Sequence, residues 1–427
     1  MEIIENPKVE SWASLLKRPT PDYATLENNV KSIFQDIKVR GDESILKYTK
    51  LFDGIDIDHM KVNAAEMENA SNSISKELKT AIDTAYDNIY KFHKAQQQEE
   101  LKVETQPGVT CWQASKPIQK VGLYIPGGTA PLFSSILMLG IPAKIAGCEE
   151  VALVTPPQKN GKVHPAMLYA SYKCGINDVF QVGGIQAIAA LTFGTETIPK
   201  VYKIFGPGNQ YVTVAKQVAT TYDVSIDMPA GPSELLVLAD ESANPEYVAS
   251  DLLSQAEHGI DSQVVLVTTS KPFAENVNEA LLLQMENLPR IEILKKAIEH
   301  LKLIVVENMV KALELTNHYS PEHLIICVED EMNIVNQIKN AGSVFIGNFT
   351  PESAGDYASG TNHTLPTNAY ARQYSGVNLD AFNKKITYQK ITAEGLKSLG
   401  PHIQIMAETE ELQAHKNAVT LRLKDIQ

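Results

Sequence analysis

Basic charge is what this chain most lacks: 38 Lys and Arg stand against 51 Asp and Glu in 427 residues, a formal net charge of −13. No basic field is left to neutralise a phosphate backbone or hold an anionic membrane surface, so nucleic acid is excluded as an expected partner. Long apolar runs are missing too. Nothing approaches the roughly 20 residues that cross a bilayer, and the opening MEIIENPKVESW carries acids where a secretory signal has basic residues and then an apolar stretch. The expectation is a cytoplasmic protein. Cysteine is scarce: Cys111, Cys148, Cys174 and Cys327 have neither the density of a disulfide scaffold nor the close pairing of a zinc knuckle. They are expected to be reduced thiols, with Cys148 in KIAGCEEVALV and Cys327 in HLIICV buried as small hydrophobes. There is no low-complexity run, and 44% hydrophobic with 21% charged residues describes a chain folded throughout. A full GxGxxG is also missing. In FGPGNQYV, Tyr211 stands where the third glycine belongs, so this segment and IPGGTAP read as tight turns or as dinucleotide loops alike.

What is present is a pattern of short β-branched runs between helical stretches. At this length two or more packing units are expected. Up to about residue 100 the spacing is helical, through TLENNVKSIFQDIKV and ELKTAIDTAYDNIYKFHKA. Strand-like KVGLYIP, EEVALVTPP, DVFQVGG and KIFGPG then alternate with helical SSILMLGIPAKIAG and GIQAIAALTFG, which predicts a parallel sheet built of βα units. After IDMPAGPSE a second series follows: LLVLAD, SQVVLVTTS, LIVVEN, HLIICVED and AGSVFIGN. The expected architecture is α/β, with two tandem Rossmann-like, incomplete and doubly wound parallel-sheet domains at 108–233 and 234–365. A helical region at 1–107 precedes them and a helical segment at 366–427 follows. In that last segment ELQAHKNAVTLRLKD reads as an amphipathic helix whose apolar stripe needs another surface.

Three segments carry candidate chemistry. In NPEYVASDLLSQAEHG, Asn244 reads as a helix cap, Pro245 as the first helical residue and Gly259 as a left-handed exit. Gln255 and His258 then stand three apart at the last turn, as two ligands of one ion or as ordinary polar residues at a helix end. In TPESAGDYASGTNHTLPT, a loop after a strand, Asp356 beside Gly355 has room to reach a cation, and the same residues equally make a turn. In SPEH, Glu322 and His323 are a credible general-base pair, provided Pro321 makes the strand start irregular enough for both to face one site.

Taken together and in this order, YIPGGTAPLFSSILML, VGGIQAIAALTFG, KIFGPGN, IDMPAGPSE, ASDLLSQAEHG, SPEHLII, PESAGDYASGTNH and AHKNAVTLR closely resemble the histidinol dehydrogenase family, from about residue 105 to the end. The resemblance implies an intertwined homodimer that oxidises L-histidinol through L-histidinal to L-histidine with NAD, at the end of histidine biosynthesis. It implies one Zn2+ per subunit held by Gln255, His258, Asp356 and, from the other subunit, His415. It further implies substrate contacts from Ser233, His323 and Glu410 and from the metal ligands, NAD contacts from Tyr124, Gln186 and Asn209, and catalysis by Glu322 and His323. His318 and His363 are expected as possible neighbours of the ligands, and His59, His93, His164, His300 and His402 as surface or packing residues. A related metal- and NAD-dependent dehydrogenase of another polar alcohol is the nearest alternative, since a scaffold does not fix a substrate. A metallohydrolase with Glu322 as its base and a non-catalytic binding protein are the others.

Overall fold

The computed structural model describes residues 1–19, 23–127, 130–229 and 231–426. They form two compact units, one of Met1–Gln96 with Ile118–Ala381, the other of Gln97–Pro117 with Phe382–Gln427.

The larger unit holds two parallel sheets. The first orders its strands Asp178–Phe180, Glu150–Val154, Lys120–Tyr124, Lys203–Phe205 and Ser225–Ile226, all pairs parallel. Numbered along the chain, that is 3-2-1-4-5, and the winding reverses between Lys120–Tyr124 and Lys203–Phe205. Such a switch point leaves a crevice outside the carboxyl ends of the strands. The second sheet repeats the order with Lys302–Val305, Gln263–Thr268, Glu234–Ala239, His323–Cys327 and Ser343–Ile346, and Ile3–Glu5 adds a parallel strand at its edge. Its central strand shows why both faces are covered. Leu235, Val237 and Ala239 enter one hydrophobic cluster, with helices Pro245–Ala256 and Lys271–Met285. Leu236 and Leu238 enter another, with helix Met309–Tyr319. The unbroken apolar run from Leu235 to Ala239 is the signature of a sheet buried on both sides.

Residues 1–107 do not stay apart as a helical region. Val30, Ile33, Phe34 and Ile37 of helix Tyr23–Arg40 share one cluster with Val154, Phe180 and Ile204 of the first sheet, and Leu101–Gln106 is a strand. The segment 366–427 likewise contains the strand Asn383–Ile391. In the smaller unit this strand pairs antiparallel with Val109–Pro117, which pairs with Leu101–Gln106. Helices Ala393–Thr409 and Gln413–Asp425 complete it, with Leu423 and Val419 closing on Gly400. No described helix is long and apolar enough to cross a membrane.

Candidate active site

The chemistry collects at the amino ends of the second sheet's strands, opposite to the edge a doubly wound sheet ordinarily uses. Glu234–Ala239 and His323–Cys327 are parallel neighbours, His323 in register with Leu235. The strand start is irregular: Ser320 adopts φ 56°, the left-handed region, before Pro321. Glu322 and His323 therefore share one site. The Glu322 carboxylate lies 3.7 Å from the imidazole Nδ1, and both residues are buried. The backbone of Glu234 holds the pair, its N–H donating to Glu322 Oε2 at 2.9 Å and its carbonyl lying 3.3 Å from His323 Nδ1.

The short helix Glu352–Tyr357 supplies two more carboxylates, where the sequence pattern predicts a loop. Glu352 and Asp356, four apart and so on one face, bracket the imidazole. Glu352 Oε1 is 3.4 Å from Nδ1 and Asp356 Oδ1 is 3.6 Å from Nε2. Among the described residues His323 Nε2 is buried without a hydrogen-bond partner. Glu352 is the residue that sequence reasoning missed; its one signal was the four-residue spacing to Asp356 in PESAGD.

Charge and burial act against each other here. Burial alone lowers the basicity of His323, but the carboxylates of Glu352, Glu322 and Asp356 outweigh it and raise the imidazole to about 10. Burial pushes Glu322 up to about 8 against the pull of His323, and it raises Glu352 well above the carboxylate range. Asp356 moves the other way: the adjoining His323 imidazole overcomes burial and holds it down. Desolvation lowers both His258 and His363, so each is a neutral imidazole near pH 7.

Helix Pro245–Ala256 is capped as expected, the Asn244 side chain accepting from Glu246 N. It stops earlier than expected, and Gly259 is not left-handed. A turn, His258 N donating to Gln255 O, carries His258 beyond the last helical residue. The His258 ring opens on a cleft of about 370 Å3 that also meets His323, Asp356 and His363 from the second sheet and Ser135 and Asn209 from the first. Ser233 lines it too. His258 Nε2 and Asp356 Oδ2 are 4.0 Å apart, within the about 4.4 Å reach of two donors at about 2.0–2.2 Å from one ion but wider than the about 3.4 Å between neighbouring ligands of a tetrahedral zinc, so a bound ion would draw them closer. A neutral imidazole and an ionised carboxylate are the protonation states a metal needs. Gln255 is fully buried. With its amide turned so that both atoms meet partners, the nitrogen donates to Glu352 and the oxygen accepts from Glu234 N at 3.0 Å. Among the described residues no three His, Cys, Asp or Glu side chains form a metal cluster. The pair fits an ion that takes further ligands from elsewhere.

His363 lies where a neighbour of the ligands is expected, its Nδ1 2.9 Å from Asp356 O and its Nε2 3.0 Å from Ser135 Oγ. His318 instead packs edge-on against Trp12. Glu410 ends one helix of the smaller unit, and His415 lies in the helix Gln413–Asp425. Cys174 and Cys327 are buried; Cys148, expected to be buried, is half-buried because it follows a helix end in the exposed turn before Glu149 and Glu150.

At the carboxyl edge of the first sheet, Tyr124 is buried with its hydroxyl accepting from Gly184 N at 3.2 Å. Gln186 is fully buried, and neither atom of its amide has a partner among the described residues. Two orphaned polar atoms there fit a dinucleotide that brings its own donors and acceptors. Asn209 lines the cleft while its side chain caps helix Gln210–Ala219. The loop before it admits only glycine at 206, where φ is 128° and a Cβ would stand 1.9 Å from the Tyr124 carbonyl oxygen. A buried ion pair clamps this peptide: Lys216 Nζ donates to Gly206 O at 2.8 Å, Asp227 Oδ2 accepts from Gly206 N at 2.8 Å, and Lys216 and Asp227 meet directly. Lys216→Met strands the buried Asp227 charge and is expected to lower unfolding stability by about 3–5 kcal/mol. Urea midpoints with unchanged slopes measure it. A loss under about 1 kcal/mol, the range of surface pairs, contradicts a buried clamp.

The family model of histidinol dehydrogenase matches residues 16–423. The chain belongs to the histidinol dehydrogenase family. Histidinol dehydrogenase of Bacteroides thetaiotaomicron is 56% identical over 426 residues, covering 100% of both chains. That of Bacteroides fragilis is 57% identical over 426 residues, again covering 100% of both. The crystal structure of histidinol dehydrogenase from Elizabethkingia anophelis superposes with a TM-score of 0.97 at 52% identity, over 100% of this chain and 98% of that one. Histidinol dehydrogenase likeness therefore runs through both sheets and the smaller unit alike.

Proposed function

We propose that the cleft oxidises L-histidinol to L-histidine in two NAD-linked steps, with His323 and Glu322 as its acid–base pair. The observation that carries this is the buried, unpartnered Nε2 of His323 on the cleft, its other nitrogen fixed against Glu352 and Glu234 O. In the first step Nε2 takes the proton of the substrate hydroxyl. In the second, Glu322 takes a proton from water as its oxygen adds to the aldehyde carbon while His323 returns its proton to the carbonyl oxygen; the hydrate carbon then gives a hydride to the second NAD as His323 takes the proton of a hydrate hydroxyl. Histidinol, two NAD and one water give histidine, two NADH and three protons. NAD supplies the hydride acceptor, with Tyr124, Gln186 and Asn209 as the residues that would hold it. Zinc on His258 and Asp356, with Gln255 turned out of its contacts to Glu352 and Glu234, would anchor the substrate nitrogens and draw the Asp356 charge away from His323, removing one of the three carboxylate influences that hold its proton.

The fourth ligand in this reading is His415 of a second copy of the chain, with Glu410 beside it against substrate. Its support is the apolar surface of the smaller unit, where Ile405 is 64% and Met406 65% exposed and helix Gln413–Asp425 buries no residue. Burying such a surface drives a symmetric dimer.

Two NADH formed per histidinol by metal-loaded protein, and none from other polar alcohols, is the expected result; one NADH, or preference for another alcohol, refutes the reading. Chelation is expected to abolish turnover without unfolding, because the hydrophobic clusters form without the metal. Zinc, manganese or cobalt should restore it. Full activity in protein shown to be metal-free overturns the ligand assignment.

A further inference from the structure

We infer that Arg18, far from the catalytic pair in sequence and outside the cleft, is a positioning residue that holds Glu322 and His323 in register through Glu234. Arg18 follows the short helix Trp12–Leu15. Its Nε and Nη2 grip the two oxygens of Glu234 at 2.9 and 2.8 Å, the planar bidentate pairing that fixes both groups in orientation. Nη2 also donates to Tyr319 O at 2.7 Å, and the guanidinium lies 4.0 Å over the Tyr319 ring. Tyr319 donates to Gln263 Oε1 at 2.9 Å, and Gln263 Nε2 donates back to Lys17 O at 3.0 Å. The Lys17–Arg18 segment is thus tied to three elements at the amino edge of the second sheet.

The Glu234 carboxylate is completely buried, and Asn368 N also donates to it. Arg18 is the cation that compensates it. The same residue's peptide N–H binds the Glu322 carboxylate, and its carbonyl faces His323 Nδ1. Removing Arg18 leaves a buried carboxylate without its partner, relieved by proton uptake or by a shift of the strand start toward water, and the space the guanidinium vacates favours the shift. That shift moves both acid–base groups. Neither Arg18 nor Glu234 lines the cleft, so the effect falls on the chemical step and not on substrate binding.

The inference rests on the acid–base reading of Glu322 and His323, and the test separates the two. Steady-state kinetics of Arg18→Met, Arg18→Lys and Glu234→Gln are measured well below each variant's unfolding midpoint, beside His323→Asn. Arg18→Met is expected to lose about a hundredfold in kcat, the effect of misplacing catalytic groups by about 1 Å, with KM for histidinol and NAD within about twofold. Arg18→Lys, a point charge without the fork, should recover part of that loss. Unchanged kcat with only a lower midpoint, or a rise in KM alone, overturns the inference. If Arg18→Met does not fold, Glu234→Gln decides, since it keeps size while removing the charge and turning one of the two acceptors that Arg18 grips into a donor: a kcat-only loss supports the clamp and an unaltered kcat refutes it. Unaltered kcat in His323→Asn means instead that the acid–base reading has failed.

Discussion

His323→Asn is expected to lower the rate of histidinol oxidation by between about a hundredfold and ten-thousandfold, the range for a lost general base, while the protein stays folded. Asparagine keeps a hydrogen-bonding side chain of moderate size next to Glu352 and Asp356 but cannot accept and release a proton. Because His323 serves both half-reactions, oxidation of added histidinal should fall as well. Glu322→Gln separates them. Glu322 acts only once water must be activated, so aldehyde oxidation should slow much more than alcohol oxidation. Single-turnover formation of NADH from histidinol and from histidinal reads both steps. Equal losses in the two steps for Glu322→Gln mean that this carboxylate only supports the fold around Glu234, to whose N–H it is bound at 2.9 Å.

Two inactive proteins, His258→Ala and His415→Ala, should regain activity when their subunits are exchanged. The argument is one of symmetry. If each site takes His258 from one chain and His415 from the other, a mixed dimer assembles one site with both ligands missing and one with both present. Random exchange makes about half of the dimers mixed, each with one good site, so recovery approaches about a quarter of wild-type activity. His415→Ala and His258→Ala alone each spoil every site. No recovery after exchange has been demonstrated, for instance with tagged chains, means that His415 serves its own chain's metal or no metal.

The larger unit was legible in the sequence because its strands are buried on both faces: runs such as ELLVLA and QVVLVT are polar only at their ends, at Glu234, Gln263 and Thr268. The smaller unit was not. Leu101–Gln106 and Asn383–Ile391 are exposed along most of their length, and NKKITYQKI offers little of the apolar alternation by which a strand is recognised. The site divides in the same way. His258, His323 and Asp356 stand on one cleft as the family resemblance implies, but which edge of the sheet they occupy is invisible in motifs. Glu352 lay hidden in a segment read as a loop, and Arg18 in a region where no motif stands. Both act through residues distant in the chain, and spacing carries no information about those.

The smaller unit is made from two segments far apart in the chain: Lys384 Nζ donates to Pro117 O across 267 residues. Within the larger unit Leu379 N donates to Gln96 Oε1 at 2.8 Å, so the chain leaves that unit for the second time beside the point where it first left. Once the larger unit has folded, the loop to be closed is short, and little entropy opposes pairing of Asn383–Ile391 with Val109–Pro117. On the ribosome the order is fixed. At roughly 5–20 residues per second, the strand Val109–Pro117 waits roughly 13–53 s for its partner, with one edge open to other strands. Of the three strands only Leu101–Gln106 and Val109–Pro117 exist during that interval, and the charged Lys102, Glu104 and Lys116 among their residues limit what the open edge can recruit.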